Sequence, residues 1–240
     1  MPAPADPLPL NLTSETLQAA VDAVMAGRHS VRAYLPQEVP RDLIAGVLAI
    51  AGRAPSGTNL QPWRVHVLTG ESLGKLTAAV CAAYDAGEPG HRAEYTYYPP
   101  EFFEPYLARR RKIGLDLYGL LEIRKGDTER MKAQMRRNFE FFGAPVGLIF
   151  SIDRRMGQGA WLDYGMFLQD VMLAARARGL DTCPQVAWLD YHRVIAEVLG
   201  FGSLEQLVCG MALGYADPAA IENSLRTERA ALDEFAVFHD

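Results

Sequence analysis

Leu17, Val21, Val24 and Met25 recur near the helical period behind Thr13 and Ser14. This predicts a capped helix to about residue 26, with Gly27 as its stop. A second helix is expected after Pro40, carrying Leu43, Ile44, Val47, Leu48 and Ile50 and ending before Ala54-Pro55. Residues 65–69 (VHVLT) have the β-branched content of a strand, and residues 71–86 read as helix. Residues 146–151 (VGLIFS) are almost wholly apolar, which predicts a short strand covered on both faces. A long helix is expected over 161–178, then a helix over 189–199 and an apolar strand over 207–215. Helices alternating with few strands predict mixed α and β structure in a single domain over 1–240, with no internal repeat.

Two segments depart from this pattern. Residues 1–12 carry four prolines among small and apolar residues and read as an extended arm. Residues 91–126 hold seven aromatic residues, with Pro99, Pro100 and Pro105 breaking the first half. Such an excursion is either a lid or substrate wall or a packing flap.

Composition narrows the class. The 240 residues have a net charge of −5, which disfavours nucleic acid as the main partner. The arm lacks a basic region followed by an apolar run, and no apolar stretch is long enough to span a membrane, so a soluble protein is expected. Cys81, Cys183 and Cys209 are odd in number and widely spaced, as suits reduced thiols in a cytoplasm. The five histidines have no metal-ligand spacing, and no metal is expected. Dinucleotide, P-loop, nucleophile-elbow and zinc-protease fingerprints are absent, as is any visible catalytic triad or carboxylate pair.

Two polar clusters remain. Arg28-His-Ser-Val-Arg32 puts two guanidinium groups and a hydroxyl between two helices, which suits a phosphate, although short arginine-rich turns are more often solvated surface. Residues 54–63 (APSGTNLQPW) combine a backbone that can approach a ligand closely at Gly57 with the polar side chains of Ser56, Thr58, Asn59 and Gln61.

Arg28-x-Ser-x-Arg32 followed by Ala54-Pro-Ser-Gly-x-Asn-x-Gln-Pro-Trp63 resembles the signature of the FMN-dependent nitroreductase family. The resemblance continues through Gly179-Leu-Asp-Thr-Cys-Pro184 and Asn223-Ser-Leu-Arg-Thr-Glu-Arg229. The aromatic segment and Trp161-Leu-Asp-Tyr-Gly-Met-Phe167 resemble the nitrobenzoate-reductase-like branch. The family implies an α+β fold, a mixed central β-sheet flanked by helices, and an interlocked homodimer with shared flavin sites.

It also implies FMN as cofactor, NAD(P)H as co-substrate, and an electron-poor acceptor such as a nitroaromatic or a quinone. Arg28, Ser30, Arg32 and Arg229 match the positions that hold the FMN phosphate and ribityl chain, and His29 matches a backbone contact there. Thr227 stands where the family often has a second cation, with Arg226 beside it, and either is a candidate for the phosphate. Pro55, Ser56, Gly57, Asn59 and Gln61 match the loop offered to the partner's flavin. Asn138 is matched to the pyrimidine edge, and Pro184, Gln185 and Val186 to the segment over one flavin face. Phe102, Phe103 and Tyr106 are the expected substrate wall, and the run 109–112 (RRRK) is either a steering patch for a carboxylated acceptor or a solvated helix face. No side chain is assigned an acid or base role, since a flavin exchanges hydride without one. Cys183 is expected to pack rather than react. Reductive dehalogenation, enone reduction and flavin fragmentation share this fold, and a non-catalytic flavin-binding regulatory protein would keep the same phosphate cluster.

Overall fold

The computed structural model describes residues 13–87 and 89–239, so the expected arm over 1–12 lies outside the described residues. In chain order the elements are α1 (Ser14–Gly27), α2 (Arg41–Ala51), β1 (Arg64–Thr69), α3 (Gly70–Ala86), α4 (Tyr106–Leu120) and α5 (Thr128–Arg136). They continue with β2 (Val146–Asp153), α6 (Gln158–Arg176), β3 (Asp181–Gln185), α7 (His192–Leu199) and β4 (Glu205–Gly214). Thr13 caps α1 by accepting a hydrogen bond from Thr16 N at 3.2 Å, as its hydroxyl and position suggested.

The strands form one sheet in the order β1-β2-β4-β3. All three ladders are antiparallel, and the expected mixture of strand directions is confined to one isolated parallel bridge, Ser30 to Thr182. The apolar runs of β2 and β4 report burial on both faces, which helices impose here on antiparallel strands, and burial says nothing about strand direction.

Along β2 the side chains alternate between two cores. Val146, Leu148, Phe150 and Ile152 face α2 and α6, where they meet Ile44, Val47, Tyr164 and Phe167. Ile149 faces the other way, into a cluster of Phe139, Phe141, Trp188, Leu76, Val80 and Ile195. Each such side chain, fully buried, contributes about 1.5–3 kcal/mol. Glycines admit the largest rings: a Cβ at Gly147 would lie 2.6 Å from the Phe141 ring, and one at Gly210 would strike the Trp188 indole.

Several elements differ from expectation. The helix expected over 189–199 is a 3₁₀ turn, Ala187–Tyr191, followed by the shorter α7, because Trp188 and Leu189 are consecutive and both buried. β3 escapes a sequence reading because it is five residues long and contains Pro184, which an edge strand tolerates. The aromatic excursion is partly helical: α4 occupies its second half, and neither α4 nor α5 has a buried residue to give an apolar stripe.

Candidate functional site

The end of α1 delivers the arginine turn to the edge of the sheet. Arg28 N donates to Val24 O at 3.2 Å, and Val31 N donates to Thr182 O on β3 at 3.1 Å. His29 turns back through an Nδ1 contact of 3.1 Å with Gly27 O. Arg32 is fixed through its backbone: its N–H donates to Asn223 Oδ1 at 2.8 Å, and its carbonyl accepts from Arg137 at 2.9 Å. Arg137 is itself held at 2.6 Å by Glu222, and the Asn223 amide donates to Ala33 O and Asp217 O at 2.8 and 2.9 Å. Buried Glu222 and Asn223 thus tie the C-terminal segment to a turn about 190 residues earlier.

The electrostatics of this turn favour an anion. Among the described residues, Arg28, Arg32 and Arg229 have no carboxylate partner, whereas the adjacent Asp181 is taken by Arg176 at 2.8 Å. Burial, followed by the like charge of Arg229, lowers the pKa of Arg28. Three guanidinium groups gathered without a counterion repel one another, and a phosphate dianion removes that repulsion. The Cys183 thiol lies beneath them. Burial pushes its pKa up to about 11, against the pull of Arg32, Ser30 and Arg28. It stays a thiol at neutral pH, in keeping with a packing role.

Next to the turn opens a cavity of about 600 Å³. Its lining combines Arg32, Asn138, Pro184, Gln185 and Val186 with Tyr95, Thr96, Tyr97, Tyr98 and Arg110 of the excursion. Gln185 donates to Asn138 O at 2.7 Å, while its own Oε1 is buried without a partner among the described residues. The Tyr95 hydroxyl donates to Val208 O at 2.5 Å, anchoring the excursion to β4.

The structure therefore brings Arg28, Ser30, Arg32, Asn138, Pro184, Gln185, Val186 and Arg229 to one region. Arg229 donates to Thr227 Oγ1 at 2.6 Å, and Arg226 donates to Asn223 O at 2.7 Å.

The loop Pro55, Ser56, Gly57, Asn59 and Gln61 is elsewhere. Gly57 N donates to Asp163 Oδ2 on α6 at 3.1 Å, and Gln61 lines a separate groove with Trp63 and Glu205. Thr58, Asn59 and Gln61 hold left-handed backbone conformations (φ 49°, 59° and 48°), a strained arrangement of the kind functional loops retain. Phe102 lies behind Arg110, whose guanidinium carbon is 4.3 Å from its ring centre, while Phe103 and Tyr106 pack on each other and are 60% and 51% exposed. Sequence reasoning assigned no role to Arg137, Glu222 or Asn223, and only the Asn223 tail motif signalled any of them.

An α+β protein with an uncompensated arginine cluster beside an aromatic-walled cavity has the framework of a phosphate-bearing redox cofactor site. A model of the Nitroreductase family matches residues 25–215, and the chain belongs to that family. It is 44% identical over 217 residues to a 4-nitrobenzoate reductase of Pseudomonas putida, covering 90% of this chain and 94% of the relative. A solved FMN and NADPH-dependent nitroreductase, NfnB of Sphigopyxis sp. strain HMH, matches with a TM-score of 0.89 and 40% identity over 92% of this chain and 99% of that one. The FMN-dependent nitroreductase NfnB of Mycobacterium smegmatis, solved in complex with NADPH, matches with a TM-score of 0.89 and 31% identity over 93% and 100%.

Proposed function

We propose that this chain is an FMN-dependent oxidoreductase that accepts electrons from NAD(P)H and reduces a nitroaromatic acceptor of the nitrobenzoate type. The observation that carries the reading is the set of three guanidinium groups without carboxylate partners among the described residues, Arg32 lining the cavity and Arg28 and Arg229 gathered beside it around the cavity-lining Cys183. The residues present fit FMN: the arginines and Ser30 suit its phosphate and ribityl chain, and the orphaned Gln185 Oε1 offers an acceptor at the cavity wall. Asn138 suits the pyrimidine edge, and the segment Pro184 to Val186 suits one flavin face. FMN, when bound, supplies hydride exchange between nicotinamide and acceptor. The chain's own groups bind and orient, and the tyrosines of the excursion exclude water.

The acceptor class rests on the activities for which the relatives are named, 4-nitrobenzoate reductase among them. Anaerobic stopped-flow with NADH and NADPH, followed by a panel of nitroaromatics and quinones, tests it. Flavin bleaching by nicotinamide and reoxidation by 4-nitrobenzoate are expected; bleaching without reoxidation by any nitroaromatic removes the acceptor assignment. Chromatography of the heat-released cofactor is expected to give FMN, and FAD rejects the phosphate-site reading.

The reading includes an interlocked homodimer with shared flavin sites, a single domain and a cytoplasmic location. Leu17, Val21 and Met25 on α1, Ile50 on α2, and Leu162 and Met166 on α6 are exposed. Phe235, Val237 and Phe238 of the tail are exposed as well, apolar surface that a second copy would cover. The strained loop from Pro55 to Gln61 sits beside α6, away from its own chain's cavity, and suits delivery to a second copy. Sedimentation is expected to give a dimer at all working concentrations, and an active FMN-saturated monomer excludes it. No helix among the described residues is long and apolar enough to cross a membrane, and all three cysteines are free and buried.

A further inference from the structure

The basic run from Arg109 to Lys112 is not uniform. Arg109 is engaged by Glu234 of the tail at 3.0 Å, and Lys112 by Asp116 at 2.9 Å and Glu228 at 3.5 Å. Those two cations fasten α4 to its own next turn and to the C-terminal segment. Arg110 has no carboxylate partner among the described residues, and it is the member of the run that lines the cavity. Its guanidinium carbon lies 4.3 Å from the centre of the Phe102 ring, which in turn packs on Tyr98 with ring centres 5.5 Å apart. Asp190 lines the same cavity without pairing to it.

A guanidinium held over an aromatic face keeps its N–H edges free, and those edges match the two oxygens of a carboxylate. We infer that Arg110 is the specificity residue that receives the carboxylate of an aromatic-acid acceptor, with Tyr98 and Phe102 holding it in place from behind. This rests on the nitroaromatic reading above and adds which class of nitroaromatic the cavity prefers and which side chain chooses it. Arg110 is exposed and contributes to no core, so its substitution leaves the fold intact. The shared chemistry is an anion, and NADPH brings anions of its own as phosphates, so the test separates the two sources.

Calorimetric titration of the purified holoenzyme with benzoate, benzamide and NADP+, none of which reduces oxidised flavin, reads the contact without turnover. For Arg110→Ala, benzoate is expected to bind at least tenfold more weakly while benzamide and NADP+ change less than twofold. Arg110→Lys, which keeps charge and loses the planar fork, should fall between. In steady state, Arg110→Ala should lower kcat/KM for 4-nitrobenzoate through KM and leave nitrobenzene within twofold. The inference is overturned if benzoate binds no better than benzamide to the unaltered protein, if both weaken together, or if NADP+ alone weakens. The broader reading fails by a different sign, the absence of flavin reduction by nicotinamide, which the benzoate titration does not need.

Discussion

On the sheet side of the cavity, Arg32 is held through its main chain by Asn223 and Arg137, groups remote in sequence and largely buried. In the excursion, Tyr98, Phe102 and Arg110 hold one another through ring and cation contacts within thirteen residues. The first wall is a product of the whole fold: the arginine turn, β3 and the C-terminal segment must all be in place before it exists. The second is local and exposed, and its side chains can change without a backbone hydrogen bond being lost. On the proposed function, this difference assigns cofactor grip to the long-range wall and acceptor choice to the local one.

The largest effect should come from the long-range wall. Asn223→Ala removes the acceptor for Arg32 N–H and the donor to Asp217 O in a buried setting, a loss of about 2–4 kcal/mol. Thermal unfolding is expected to drop by about 5–15 °C, with FMN affinity falling in parallel. An Asn223→Ala protein with unchanged FMN affinity would break the comparison. Next come Arg28→Ala and Arg229→Ala, each expected to weaken FMN by about 10- to 150-fold, the equivalent of about 1.5–3 kcal/mol per charge-assisted contact. Arg229 lowers the pKa of Arg28, so Arg229→Ala should leave the FMN-free protein no less stable, which separates ligand grip from folding.

A site outside both walls sharpens the contrast. Glu205 on β4 joins three strands, contacting Ser151 at 2.5 Å, His66 at 2.7 Å and Arg64 at 3.0 Å. Burial alone would raise its pKa, but the hydrogen bonds from Ser151 and His66, with those from Arg64, bring it below the usual value. A carboxylate so depressed stabilises the fold at neutral pH, and that contribution is lost as pH falls through its folded value, below about 4.5. Glu205→Gln should therefore destabilise at pH 7 by about 1–2 kcal/mol, and the gap to the unaltered protein should close in acid unfolding curves as pH falls below the ordinary carboxylate range. FMN affinity and acceptor preference are expected to stay unchanged.

How much of this was legible in the sequence follows the same division. The apolar runs of β2 and β4 and the cap of α1 announce themselves, since local composition causes them. The Arg28 to Arg32 turn was legible as a phosphate candidate beside the commoner reading of a solvated surface, because guanidinium chemistry is written in residue type. Its supports were not: Asn223 lies 191 residues from Arg32 and Arg137 lies 105 away, so only the folded chain brings them together. In the excursion, aromatic content marked the region, but which residues face the cavity depends on how α4 is turned. That rotation leaves no periodic trace, because α4 buries nothing.

The smallest effects test that rotation. Phe103 and Tyr106 were expected on the substrate wall with Phe102, yet in this chain they pack edge to face on each other, ring centres 5.2 Å apart, and stand largely in solvent. Alanine at either should change stability by less than about 1 kcal/mol, the scale of one exposed aromatic pair. It should also change acceptor kcat/KM by less than threefold. Phe102→Ala frees the Arg110 guanidinium from its backing ring and is expected to lower kcat/KM for 4-nitrobenzoate about five- to twentyfold, with nitrobenzene less affected. FMN retention should be the same in all three. If Phe103→Ala or Tyr106→Ala matches Phe102→Ala in acceptor selection, those rings must reach a cavity that a single chain does not give them. The local wall would then be completed across the proposed dimer, and acceptor choice, like cofactor grip, would depend on the whole assembly.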